Sequence, residues 1–139
     1  MRIQAVSAQT GLTDKTIRYY EDIDLLPTVP RQGNGYRNYR QEDVERLQFI
    51  KRCRELQIPL DDIANLLALK ADPGHSCREV DDLVVKQLQA VEQKIAALQQ
   101  LQQQLQQLSL SCRQHRVADC EVLKKLSLHD NEVKTYSAG

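Results

Sequence analysis

Three cysteines carry the residue types and spacing best suited to chemistry in this chain: Cys77, then Cys112 and Cys120 with seven residues between them. Deprotonated thiolates are soft ligands that select Zn(II), Cd(II), Pb(II), Hg(II) or Cu(I) over Mg(II) and Ca(II). The stretch between Cys77 and Cys112 keeps a helical apolar period from Val80 to Leu110. One continuous helix there rises about 1.5 Å per residue, which separates its two ends by roughly 50 Å. The thiols at those ends cannot meet within one chain. Two such helices packed antiparallel in a homodimer would bring Cys77 of one subunit beside Cys112 and Cys120 of its partner. Three thiolates suit Pb(II) and Hg(II), or Cd(II) with one further ligand. His115, inside the Cys112 to Cys120 loop, is the candidate fourth ligand, and a fourth ligand favours tetrahedral Zn(II) or Cd(II).

The remaining cysteine and histidines read differently. Cys53 shares an apolar helical face with Phe49, Ile50 and Leu56 and is expected to be a small buried hydrophobe. His75 is a loop residue or a donor to a ligand, and His129 lies in a solvated tail.

A second constellation is cationic. Lys15, Thr16, Arg18 and Tyr19 fall on the outer face of an expected helix, and Arg31, Tyr36, Arg37, Tyr39 and Arg40 crowd the segment after it. Cations supply phosphate contacts and release counterions from DNA, while aromatic hydroxyls position the backbone. A helix that enters the major groove beside a flanking wing is an established docking arrangement.

These residues need elements to hold them. Ile3 to Thr10 forms a first helix that Gly11 ends, and Thr13 caps a second running to Asp22. RQGNGYRNY, with Gly33, Asn34 and Gly35, reads as a tight hairpin. Gln41, Glu42 and Asp43 open a third helix whose apolar positions Val44, Leu47, Phe49, Ile50, Cys53 and Leu56 keep a helical period. Pro59 starts a fourth, Leu60 to Leu69, with Ile63, Leu66 and Leu67 inward. Val84, Leu88, Val91, Ile95, Leu98, Leu101, Leu105 and Leu108 then recur mostly at four and three, the pattern of a coiled coil. The shorter step from Leu98 to Leu101 shifts the seam. The expected fold is mainly α. A winged helix-turn-helix domain with connecting helices (1–70) precedes a long antiparallel coiled-coil dimerisation helix (76–111). A metal-binding loop with a short C-terminal helix (112–128) and a flexible tail (129–139) complete the chain.

Composition narrows the class. Formal net charge is zero, yet residues 1–59 hold ten Lys/Arg against eight Asp/Glu, while residues 60–139 hold nine against eleven. No 18-residue apolar run or leader appears, so a cytoplasmic protein without a membrane partner is expected. In a reducing cytosol four cysteines are ligands or buried thiols rather than a disulfide framework. No Ser/His/Asp order, HExxH helix or phosphate-cradling glycine loop points to an enzyme. A coiled-coil interaction protein stabilised by zinc is the alternative in another class; it predicts no DNA binding and a fold that fails without metal.

RIQAVSAQTGLTDKTIRYYEDIDLLPTVPRQGNGYRNY and VERLQFIKRCRELQIPLDDIANLL together resemble the DNA-binding half of the MerR family of metal-responsive regulators. Gln4 sits where that family commonly has glycine. The resemblance implies DNA contacts by Lys15, Arg18, Tyr19, Arg31, Tyr36, Arg37 and Arg54. HSCREVDDL, SCRQHRVADC and VLKKL are similar to the branch that responds to cadmium, lead and zinc. That branch implies Cys77, Cys112 and Cys120 as ligands, with Cd(II) or Pb(II) foremost and Zn(II) or Hg(II) as alternatives. Cys77 argues for a divalent ion, since the copper-sensing branch generally lacks that thiol. The family further implies a promoter dyad with an overlong spacer, repression without metal, and activation of RNA polymerase by underwinding the same DNA. Metal efflux or resistance genes are the implied targets.

Overall fold

The structure is a computed structural model that describes residues 1–27, 30–33, 35–111 and 117–128. Asn34, Cys112, His115, His129 and the expected tail therefore lie outside the described residues. Two compact units divide the chain, Met1–Gln87 and Leu88–Gly139.

The first unit is built from four helices and the start of a fifth. Helix α1 (Ile3–Thr10) buries Ile3, Val6 and Thr10, one face of a helical period. Gly11 ends it in the left-handed conformation, φ 76°, with its N–H bonded to the Ser7 carbonyl. A side chain here would also press within 2.8 Å of Lys51 Nζ, which donates to the Thr10 carbonyl at 2.9 Å. Thr13 Oγ1 then caps α2 (Asp14–Asp22) by accepting from Thr16 N at 3.1 Å. Helix α3 (Gln41–Glu55) starts with Arg40 N donating to Asp43 Oδ2. It buries Val44, Leu47, Ile50 and Cys53, and α4 (Leu60–Lys70) adds Ile63, Leu66 and Leu67 to the same core.

Two helix ends turn without glycine. Asp24 and Gln57 both take positive φ, 63° and 58°. After α2, Asp24 N bonds to Glu21 O and Leu25 N to Tyr20 O. After α3, Gln57 N bonds to Arg54 O and Ile58 N to Cys53 O. Both are Schellman closures, which satisfy the last carbonyls and turn the next apolar residue inward. The expectation for Leu56 is thereby corrected. Leu56 is 67% exposed and Ile58 is the buried residue: α3 ends at Glu55, and the left-handed Gln57 turns Ile58 onto the core instead.

Between α2 and α3 the expected hairpin is pared, among the described residues, to one antiparallel bridge, Arg31 with Arg37. Gln32 N donates to Tyr36 O at 2.7 Å and Asn38 N to Pro30 O at 3.1 Å. Gly35, at φ 85°, supplies the left-handed turn residue. No extended strand occurs among the described residues.

Helix α5 (Arg78–Ser111) runs unbroken for 34 residues. Its first turns belong to the first unit: Val80 and Leu83 pack on the core, and Gln87 Nε2 donates to the carbonyls of Leu56 and Gln57. The second unit holds the rest of α5, a 3-10 turn (Val117–Asp119) and α6 (Glu121–Leu126), whose N-cap is Cys120.

Candidate nucleic-acid interface and the cysteine positions

The amphipathic pattern of α2 dictates what it presents. Ile17, Tyr20 and Glu21 face the core, which leaves Lys15, Arg18 and Tyr19 exposed on the opposite side. Thr16 is half-buried, its hydroxyl 2.8 Å from that of the cap residue Thr13.

Glu21 is the polar exception inside that core, 7% exposed. Its Oε1 accepts from the Tyr39 hydroxyl at 2.8 Å and its Oε2 pairs with Arg37 Nε at 3.0 Å. A buried carboxylate is tolerated when such donors satisfy it. The pair of contacts joins α2 to the segment carrying the wing. Burial pushes the Tyr39 phenol far above its ordinary value, and the hydrogen bond and charge of Glu21 push the same way. Tyr39, read from sequence as part of the exposed wing, is instead a core residue at 1% exposure. Its ring joins the apolar core, and the buried hydroxyl is satisfied by this carboxylate.

Arg18 of α2 and Arg31, Tyr36 and Arg37 of the wing line one cleft of about 330 Å³. Arg2 and Gln4, from the start of α1, line it too. The Arg2 guanidinium lies over the Tyr36 ring, its Cζ 4.1 Å from the centroid. Four guanidinium groups converge here, and no acidic residue is among the described residues lining the cleft. Such a concavity suits a phosphodiester backbone, since arginine forks match phosphate oxygens. Arg54 does not line the cleft. It closes the end of α3, with Nη1 donating to the Ile58 carbonyl at 2.8 Å, and its charge opposes the burial that raises the Tyr20 phenol. Sequence reasoning missed Arg2, Gln4 and Glu21. An arginine just before the first apolar helix residue carries no local sign that it faces a wing 34 residues later.

The cysteines separate by environment. Cys53 is buried as expected, and burial pushes its thiol up, only partly offset by Arg52. Cys77 is exposed immediately before α5, and Cys120 is half-buried at the start of α6. His75 faces two carboxylates, Glu79 Oε1 at 3.1 Å and Asp72 Oδ2 at 3.6 Å. Among the described residues no three His, Cys, Asp or Glu side chains gather into a metal site; Cys112 and His115 are outside that set.

A helix-turn-helix with a one-bridge wing and an arginine-lined cleft defines a DNA-binding protein. The sequence matches the family described as "MerR HTH family regulatory protein" over residues 1–70 and that described as "MerR, DNA binding" over residues 44–108. The regulator HmrR of Rhizobium leguminosarum bv. viciae is 39% identical over 127 residues, covering 91% of this chain and 98% of that one. ZntR of Escherichia coli K12 is 36% identical over 137 residues, covering 96% and 97%. A solved structure of the transcription regulator PbrR691 from Ralstonia metallidurans CH34 in complex with lead(II) superposes with a TM-score of 0.83. It is 34% identical and covers 91% of this chain and 99% of that one. The chain belongs to the MerR family of helix-turn-helix transcriptional regulators, whose members are DNA-binding regulators rather than enzymes. No helix among the described residues is long and apolar enough to cross a membrane.

Proposed function

We propose that this protein is a homodimeric, metal-responsive regulator of promoter DNA that senses a soft divalent ion through a cysteine site shared between subunits. Cys77 of one subunit and Cys112 and Cys120 of its partner are the ligands, with His115 the candidate fourth. Cd(II) or Pb(II) is the preferred ion, with Zn(II) and Hg(II) behind. The donor chemistry supports this reading: Cys77 is exposed before α5, whereas the buried Cys53 has its thiol pushed up and is a poor thiolate. The carrying observation is that α5 continues without a break from Arg78 to Ser111, the condition on which the two-subunit argument rests. The solved structure of PbrR691 in complex with lead(II) supports the metal-responsive part of this reading.

On the DNA side, Lys15, Thr16, Arg18 and Tyr19 address the groove from α2, and Arg31, Tyr36 and Arg37 hold phosphates from the wing. Arg54, at the end of α3, is the further DNA contact that the family resemblance implies. The thiolates require deprotonation before they bind, and a bound ion would bridge two subunits. Such a bridge favours one of two arrangements of the DNA-binding domains, and the deformability of the spacer carries that difference to RNA polymerase. The dimerisation helix (76–111) and metal loop (112–128) are thus the sensing half, and residues 1–70 the reading half.

Heterodimer complementation tests the shared site. Cys77→Ser is co-expressed with a chain carrying Cys112→Ser and Cys120→Ser, each parent being unable to build a complete site. In the heterodimer one site loses all three thiols and the other keeps all three. Purified heterodimer is expected to bind one Cd(II) or Pb(II) ion with wild-type thiolate charge-transfer absorption. A heterodimer as inert as both parents removes the intersubunit assignment.

A further inference from the structure

Neither α2 nor the wing accounts for two of the side chains that line the arginine cleft. Arg2 and Gln4 come from the start of α1, and both are exposed. Arg2 is the N-cap residue of α1, and its carbonyl accepts from Ala5 N and Val6 N at 3.0 and 3.2 Å. Its backbone is therefore set by the helix while its side chain reaches the wing. A guanidinium stacked on an aromatic ring spends its flat face there, and its N–H groups, which lie in the plane of the fork, stay available to a second ligand. The Arg2 Cζ lies over the Tyr36 ring, 4.1 Å from its centroid, and Arg2 lines the open cleft. Gln4 adds the only uncharged amide in a lining otherwise made by four arginines, a tyrosine, Ile3 and Gly35 among the described residues.

We propose that the start of α1 is a third wall of the DNA-binding surface. Arg2 neutralises a backbone phosphate and, through its stack, positions Tyr36; Gln4 hydrogen-bonds the same stretch of backbone without adding charge. This rests on the reading of the cleft as the DNA interface. It divides the wall into one contact that releases a counterion and one that does not, a distinction that salt dependence resolves.

The test uses the full-length dimer and an operator duplex selected from a random-sequence pool by the wild-type protein. Affinity is measured across a salt series for Arg2→Gln, Arg2→Lys, Gln4→Ala and Arg18→Ala, with thermal unfolding as a check that each variant is folded. Arg2→Gln is expected to weaken binding about tenfold and to reduce the salt slope by about one. Arg2→Lys keeps the charge and loses the planar stack, so it retains the slope and loses several-fold in affinity. Gln4→Ala loses a few-fold with no change of slope. Arg2→Gln with wild-type affinity and slope overturns the third wall, provided Arg18→Ala still weakens binding. If Arg18→Ala is silent as well, the cleft is not the DNA interface and both readings fall. An Arg2→Lys variant equal to wild type overturns the positioning of Tyr36.

Discussion

The two units use the same apolar residue types to opposite ends. In the first, Val6, Ile17, Leu26, Leu47, Ile50 and Ile63 are fully buried in one core. In the second, Leu88, Ile95, Leu98 and Leu105 of α5 keep a helical period yet stand 50% exposed or more. An apolar stripe repeated along one long helix cannot be covered by the helix that bears it. The first unit thus consumes its amphipathic faces within one chain, while the second presents one continuous face to be covered by a second helix. Recognition of DNA is built on the self-contained unit, while the expected ligands are divided: Cys77 in the first unit, Cys112 and Cys120 in the second.

The sharpest way to break this contrast is to place charge on the uncovered stripe. Leu98→Glu combined with Leu105→Glu is expected to dissociate the dimer, and operator affinity should fall by about 100-fold or more as paired half-site binding is lost. Sedimentation equilibrium reads the first effect; a dimer that persists would show that the stripe is not the interface. Far-ultraviolet circular dichroism should meanwhile retain the signal of the first unit's helices.

The corresponding cut in the first unit acts on stability instead. Leu47→Ala removes a fully buried side chain from α3 and should cost about 3 kcal/mol in urea unfolding. At concentrations well above the dimer dissociation constant its oligomeric state should match wild type. Loss of the dimer without loss of stability would reverse the assignment of roles to the two units.

A smaller effect is expected at the polar joint between α2 and the wing. Tyr39→Phe removes the hydroxyl that donates to Glu21 and should cost about 1–2 kcal/mol, because a buried carboxylate oxygen loses a donor. The same joint gives a pH dependence with a definite sign. Burial raises the Tyr39 phenol above its ordinary 10.0, and burial raises Tyr20 as well. Protons are therefore held more tightly folded than unfolded. Stability from these groups is complete below about pH 10 and is lost as pH rises further. Tyr39→Phe should flatten that alkaline decline in a pH series of thermal melts; an unchanged decline would place its cause elsewhere.

Much of the helical framework was legible in local residues. Thr13, Gly11 and Pro59 mark helix ends because each acts within a few residues of itself. Lys15, Arg18 and Tyr19 could be placed outside from the inward spacing of Ile17 and Tyr20. The wing was legible as a turn from Gly33 and Gly35, though its reduction to a single bridge was not, since pairing length depends on what the flanking residues pack against. Leu56 shows how a purely periodic reading fails: the helix ended one residue sooner than its apolar pattern, and the left-handed Gln57 passed the buried position to Ile58.

By itself, then, the sequence determined the order and type of the helices, the basic outer face of α2, the buried character of Cys53 and the apolar stripe of α5. Caps, turn residues and helical periodicity act over a few residues, and they are written where they act. Only the tertiary structure decided that Tyr39 is core, that Glu21 joins α2 to the wing, and that Arg2 stacks on Tyr36. Those contacts link residues 16 positions apart or more. They exist because the packing of α1, α2 and α3 closes the chain on itself, and no local signal records which distant side chain that closure will bring near.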